Sequence, residues 1–242
     1  MTAGLLAGQA AVVTGAGRGI GRAIARRLAA EGAAVALAAR TGAQVEATAR
    51  SIEAAGGRAV ALTADVSREE DCERLIAAAV GALGRLDVLV NNAGTARFRP
   101  FWELTLDDYE AILGANLRGV FLCSRAAVRA MIPARRGTIV NIASTSGKKP
   151  YPRQSLYCAS KAAVIAFSRC MALDAREHGI RVHAVCPGAV DTPLANEIHP
   201  ERDRDGWLRP EDVAEAVVYL LRTPPNVVTD ELVLRRFHAD PI

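Results

Sequence analysis

The sequence predicts one α/β domain, a doubly wound parallel sheet of seven strands with helices on both faces. Three observations predict it. Short Ala- and Val-rich runs alternate with longer stretches of helical periodicity along the 242 residues. These runs are apolar almost throughout instead of at every second residue, the pattern of strands covered on both faces. A glycine-rich segment stands between the first run and the first helical stretch, where a tight strand-to-helix turn is needed.

The elements follow in order. Ala-Ala-Val-Val-Thr at 10–14 is the first strand, and 19–30 the first helix. Ala-Val-Ala-Leu-Ala-Ala at 34–39 and the run at 59–63 are strands two and three, joined by a helix at 44–55. A helix at 68–83 leads to strand four at 86–90, and one long helix at 106–131 leads to strand five at 138–142. The helix at 155–178 precedes strand six at 181–186; a helix at 210–221 precedes a short last strand at 231–234. Regular alternation implies right-handed crossovers and a parallel sheet. With no linker, repeat or low-complexity stretch, residues 1–242 form a single domain.

Composition narrows the function. Half the residues are apolar, 23% are charged and 5% are aromatic, enough to build a sizeable core. A net charge of +4, spread over scattered arginines, leaves no nucleic-acid footprint. Five cysteines without a C-x-x-C pair disfavour disulfide scaffolding and zinc and fit a reducing, cytoplasmic compartment. The four histidines lack metal-ligand spacing. There is no signal-peptide pattern, and no unbroken apolar run approaches the ~20 residues that span a bilayer, so a soluble protein with no membrane partner is expected.

Thr14-Gly15-Ala16-Gly17-Arg18-Gly19-Ile20-Gly21 joins the first strand to the first helix. Glycines there let backbone approach a pyrophosphate, and the helix start offers free N–H groups and a positive dipole end. A glycine-rich turn can also serve only to pack a helix on a strand, but its placement in a strand–helix–strand unit near the N-terminus favours a Rossmann-type dinucleotide site. At the end of strand two, where a carboxylate would bind an NAD ribose, Arg40 stands instead. A guanidinium there suits a 2′-phosphate, with Arg18 as a second donor, so NADP is preferred and NAD remains possible. The alternative is that both arginines are merely solvated.

Tyr157-Cys158-Ala159-Ser160-Lys161 opens a helical stretch. Residues four apart share a helix face, so phenol and ammonium can point into one site. A fixed positive charge would bring the phenol below its ordinary ~10 and fit it for proton transfer. Cys158 has no histidine near it in sequence and is read as packing.

Taken together, these motifs resemble the short-chain dehydrogenase/reductase family over nearly the whole chain, with an NADP-preferring ketone or ketoacyl reductase as the nearest kind. Gly15 to Gly21 is similar to the family's glycine loop, and Asn91-Asn92-Ala93-Gly94 to its NNAG element. Asn116, Ser144, Tyr157 and Lys161 match its catalytic tetrad in order and spacing, and Pro187-Gly188 with Val190 and Thr192 its nicotinamide-end segment. The resemblance implies that Tyr157 exchanges a proton with the substrate oxygen while Ser144 hydrogen-bonds it. Lys161 would hold the nicotinamide ribose and acidify the phenol, and Asn116 would hold a relay water. Asp65 and Val66 would flank the adenine, and Asn92, Ala93 and Gly94 the adenosine side. Taken singly, Asn116 can relieve a helix bend, Ser144 can cap a loop and Asp65 can cap a helix.

Substrate is expected beside Ser144 and Tyr157, near 95–98, 145–149 and Tyr151, under a short charged lid at 193–209 that is mobile without ligand. Arg97, Lys148, Lys149 and Arg153 either attract an acidic substrate or sit at the rim in water. The chain departs from the family in closing on Val233-Leu234-Arg235-Arg236-Phe237-His238 in place of a glycine-rich turn, so the usual C-terminal contact between subunits is not carried over. A homodimer or homotetramer through 106–131 and 155–178 is what the resemblance implies. Three functions compete: an NADP(H)-linked reductase of small ketones, an NAD-linked secondary alcohol dehydrogenase, and a non-enzymatic dinucleotide-binding regulator.

Overall fold

A computed structural model describes residues 4–198, 200–201 and 203–242. Seven parallel strands, β1 (Ala10–Thr14), β2 (Ala34–Ala39), β3 (Arg58–Thr63), β4 (Val88–Asn91), β5 (Gly137–Ile142), β6 (Ile180–Pro187) and β7 (Glu231–Leu234), lie in the order β3-β2-β1-β4-β5-β6-β7. The expected single Rossmann-type domain is therefore the observed one.

Strand alternation sorts side chains between two helical layers. Ala11 and Val13 of β1 join a core with α1 (Gly19–Ala30), α2 (Gly42–Ala54) and α8 (Pro210–Arg222), where Ile24, Leu28, Ile52 and Leu220 are buried. Ala10 and Val12 face the other way, onto α3 (Glu69–Leu83), α5 (Gly119–Met131) and α6 (Ser155–Ala175), with Leu75, Leu122, Met131 and Met171. Burial on both faces is why the strands read as continuous apolar runs. Chain direction across the sheet reverses between β1 and β4, which opens a crevice at their carboxyl ends.

The helix expected at 106–131 is interrupted. It consists of α4 (Leu106–Leu113), a π-helical turn (Gly114–Arg118) and α5. Such turns often mark functional sites, and this one carries the fully buried Asn116. Most other boundaries shift by one or two residues, and 155–178 finishes as a 3-10 turn, Arg176–His178. Within 193–209, a short helix α7 (Pro193–Ile198) forms, and the segment's base is closed by a bridge between Val190 and Leu208. Positions 199 and 202 of that segment lie outside the described residues.

Two stretches, Leu106–Ala134 and Ser155–His178, reach membrane-spanning length with a mean hydropathy of 1.3. The sequence reading, which counted unbroken apolar runs, passed over them. Their length and composition suit Ala-rich helices packed on a sheet, and both carry charge, with Arg118 and Arg125 in one and Lys161 and Arg169 in the other.

Candidate active site

A cleft of about 770 Å³ runs along the carboxyl edge of the sheet. Gly15, Arg18, Gly19, Ile20, Arg40, Asp65, Val66, Asn92, Ala93 and Gly94 line it, with Ser144, Tyr157, Lys161, Pro187, Gly188, Val190 and Thr192. Gly21 and Asn116 stand behind its wall. Gly21 packs so closely that a Cβ there would lie 2.2 Å from the Gly15 carbonyl oxygen. The glycine turn therefore exists because no side chain intervenes between helix and loop. Arg18, the residue before α1, gives no side-chain cap, so the first amides of α1 stay available to an anion. A dinucleotide fits this combination of long cleft, bare helix start and closely approachable backbone.

Thr14 fixes the loop against β4, a role the sequence reading did not assign. Its Oγ1 accepts the N–H groups of Asn92 (3.0 Å) and Ala93 (3.1 Å). Asn92 returns the contact, its Nδ2 donating to the carbonyls of Thr14 (3.0 Å) and Gly15 (3.3 Å). The Asn92 amide thus braces the glycine loop, and what it offers the cleft is shape. Asp65 likewise has a local duty: its Oδ1 accepts the backbone N–H (3.0 Å) and hydroxyl (2.8 Å) of Ser67 in the turn before α3.

The two arginines differ. Arg40 is exposed at the cleft margin and pairs with no carboxylate among the described residues. Arg18 is engaged by Glu197 of α7 through both Nη atoms, Nη2 at 3.4 Å from Oε2.

At the other end, Tyr157 and Lys161 occupy the first two turns of α6. The Lys161 ammonium lies 5.8 Å from the phenol ring centroid and donates to the Ile142 carbonyl at 2.8 Å. It is 6% exposed, and burial lowers its pKa from 10.5 to about 8. Tyr157 moves opposite to expectation: burial raises the phenol above its ordinary 10, while the Ser144 hydrogen bond pulls it down. Lys161 does not acidify it here, because the ammonium is turned to a carbonyl behind the ring. Phe98 meets the Tyr157 ring edge-on at 5.6 Å.

Ser144 ends the Ala143–Ser144 turn after β5; its Oγ accepts the Ser146 N–H (3.1 Å) and lies 3.4 Å from the Pro187 carbonyl. Gly147 makes that placement possible, since a Cβ on it would sit 2.7 Å from the Lys161 backbone carbon. The Ser144 loop thus rests directly on α6. Asn116 accepts the Thr95 N–H (2.8 Å) and donates to the Thr95 carbonyl (3.0 Å) and Ser160 Oγ (3.0 Å). It ties the π-turn to the cleft wall and to α6. Beneath, Asn91 donates to Asn141 Oδ1 (2.8 Å) and Ser124 Oγ (2.9 Å), and Asn141 donates to Ser168 Oγ (2.8 Å), all buried.

The model for the short chain dehydrogenase family matches residues 9–203. This chain belongs to the short-chain dehydrogenase/reductase family. It is 38% identical over 225 residues to a 3-oxoacyl-[acyl-carrier-protein] reductase of Synechocystis, covering 90% of this chain and 91% of that one. A metagenomic short-chain oxidoreductase solved with NADP shares 36% identity at a TM-score of 0.85, over 97% and 100% of the chains. A 3-ketoacyl-(acyl-carrier-protein) reductase of Brucella melitensis solved with NADH shares 32% at 0.89, over 96% and 98%. The chain is accordingly an oxidoreductase of that family.

On the substrate side, Thr95, Ala96, Arg97, Phe98, Thr145, Ser146 and Tyr151 line the cleft as expected, but Lys148, Lys149 and Arg153 do not. Lys148 is paired with Glu231 at 2.5 Å, and Lys149 lies 4.0 Å from Asp240. Trp207, inside the expected lid segment, joins the wall; sequence reasoning missed Arg235, Arg236, Ala239 and Asp240, which form part of it. Their signal was present as the departure from the family pattern after β7, without a hint of where that tail would lie.

Proposed function

We propose that this chain is an NADP(H)-dependent reductase of a ketone, or oxidant of the matching secondary alcohol, with Tyr157 as general acid and base. The observation that carries the reading is the Tyr157 phenol and Ser144 hydroxyl facing one cleft, Lys161 buried behind them. When bound, the nicotinamide supplies the hydride. Tyr157 holds the proton that the substrate oxygen receives, and Ser144 hydrogen-bonds the same oxygen as charge develops on it. Lys161, losing its proton near 8 when empty, is poised to turn from the Ile142 carbonyl to a ribose hydroxyl, and its charge then favours the phenolate. Asn116 holds the wall beside Lys161 and the path of a relay water. Asp65 and Val66 flank the adenine, while Pro187, Gly188, Val190 and Thr192 border the nicotinamide end. The segment 193–209 is the substrate lid.

Arg40, with Arg18, is assigned to the 2′-phosphate. The NAD-linked alcohol dehydrogenase reading keeps one observation in its favour, that Glu197 already occupies Arg18. Exposed Tyr109, Phe121 and Leu173 on α4, α5 and α6 support a homodimer or homotetramer through those helices. Five cysteines without a C-x-x-C pair support a reducing, cytoplasmic setting. A panel of ketones and secondary alcohols, run with both dinucleotides, tests the reading. Turnover confined to substrates of another reaction type would overturn it.

A further inference from the structure

We propose that Glu197 is a selectivity-determining residue of the cofactor site, competing with the 2′-phosphate for Arg18. The inference rests on the reading that Arg18 serves that phosphate. A guanidinium binds a carboxylate or phosphate through a fork, and the Nη–Nη fork held by Glu197 must be given up before a phosphate can use it, the Nε edge being the one that remains. In this structure both Nη groups of Arg18 point at Glu197.

The pairing is built in by the local architecture. Thr192 Oγ1 accepts the Ala195 N–H at 3.1 Å and so starts α7. Arg204 reaches back to Asp191 at 2.8 Å and to the Asn196 side chain, fastening the far side of the segment. Any side chain at Gly19 would meet Thr192 and Pro193 at 3.5–3.7 Å, so the start of α7 lies directly on the glycine loop. Glu197 is thereby held over Arg18 from 179 residues away. Its carboxyl is kept below the usual range chiefly by Arg18, and the charge of Arg97 contributes too.

The consequence separates the two dinucleotides. An unphosphorylated ribose leaves the Arg18–Glu197 pair standing. A 2′-phosphate must take Arg18 from Glu197. Glu197 thus lowers affinity for NADP(H) selectively.

The test is direct titration of NADPH and NADH by nucleotide fluorescence, without substrate. Glu197→Gln is expected to tighten NADPH about two- to fivefold, the range of an exposed ion pair, and to leave NADH unchanged. In an Arg18→Ala background the same substitution is expected to change neither. Equal shifts for both dinucleotides, or a Glu197→Gln effect that survives loss of Arg18, would overturn the proposal. If the unsubstituted chain prefers NADPH through Arg40 and Glu197→Gln has no selective effect, the Glu197 proposal alone fails. If the chain binds NADH as tightly as NADPH and Arg40→Ala changes neither, the cofactor reading and this inference fail together.

Discussion

The two ends of the cleft use charge in opposite environments. At the catalytic end, Lys161 is buried and Tyr157 half-buried at the start of α6, and the protonation of both is governed first by loss of water. At the phosphate end, Arg40 and Arg18 stand largely in solvent, and their influence depends on which anion is near. Coulomb interactions scale inversely with the local dielectric, so similar charges matter unequally at the two ends. Buried groups should decide whether chemistry occurs, and exposed ones which dinucleotide is preferred.

The largest expected effect is at the buried end. Tyr157→Phe should lower turnover by roughly 10²–10⁴-fold while leaving dinucleotide affinity intact, measured by steady-state kinetics beside fluorescence titration. Retained turnover would break the division by removing chemistry from that end.

Lys161→Met tests the cost of burial. An ammonium at 10.5 unfolded and about 8 folded binds fewer protons in the folded state between those values. Stability from this group therefore rises with pH across that window, and its burial penalty is fully present below about 8 and gone above 10.5. The variant should be inactive yet more stable to urea at pH 7 by up to about 3 kcal/mol, the gain vanishing near pH 10.5. Equal destabilisation at both pH values would make Lys161 a structural brace.

At the exposed end, Arg40→Ala should weaken NADPH by about tenfold and leave NADH unchanged. The smallest effect sharpens the contrast. Raising ionic strength from about 0.05 to 0.5 M should weaken NADPH binding a few-fold through screening, with turnover at saturation unchanged.

Much of this was legible in the sequence. The five inner strands were placed because coverage on both faces leaves apolar runs, the half-covered edge strands β3 and β7 on their short Val- and Leu-containing runs, and the glycine loop because its residues are contiguous. The π-turn was missed because Leu106 through Met131 keeps helical periodicity across it, and only packing of Asn116 onto Thr95 and Ser160 reveals the bulge. In this structure burial sets the direction of the Tyr157 shift, because a four-residue spacing brings Lys161 near while its ammonium is aimed at the Ile142 carbonyl. Lys148 looked like a candidate for binding an acidic substrate until Glu231, 83 residues on, was found to hold it.

The sequence by itself determined the order of elements, the Rossmann turn and the ordered set Asn116, Ser144, Tyr157 and Lys161, because short-range patterns encode strands, helices and turns. Tertiary structure alone decided that Glu197 occupies Arg18, that the segment after β7 walls the cleft, and that loss of water outweighs the Ser144 hydrogen bond at Tyr157. Those outcomes depend on where distant segments return and how much water they exclude, which no local pattern records.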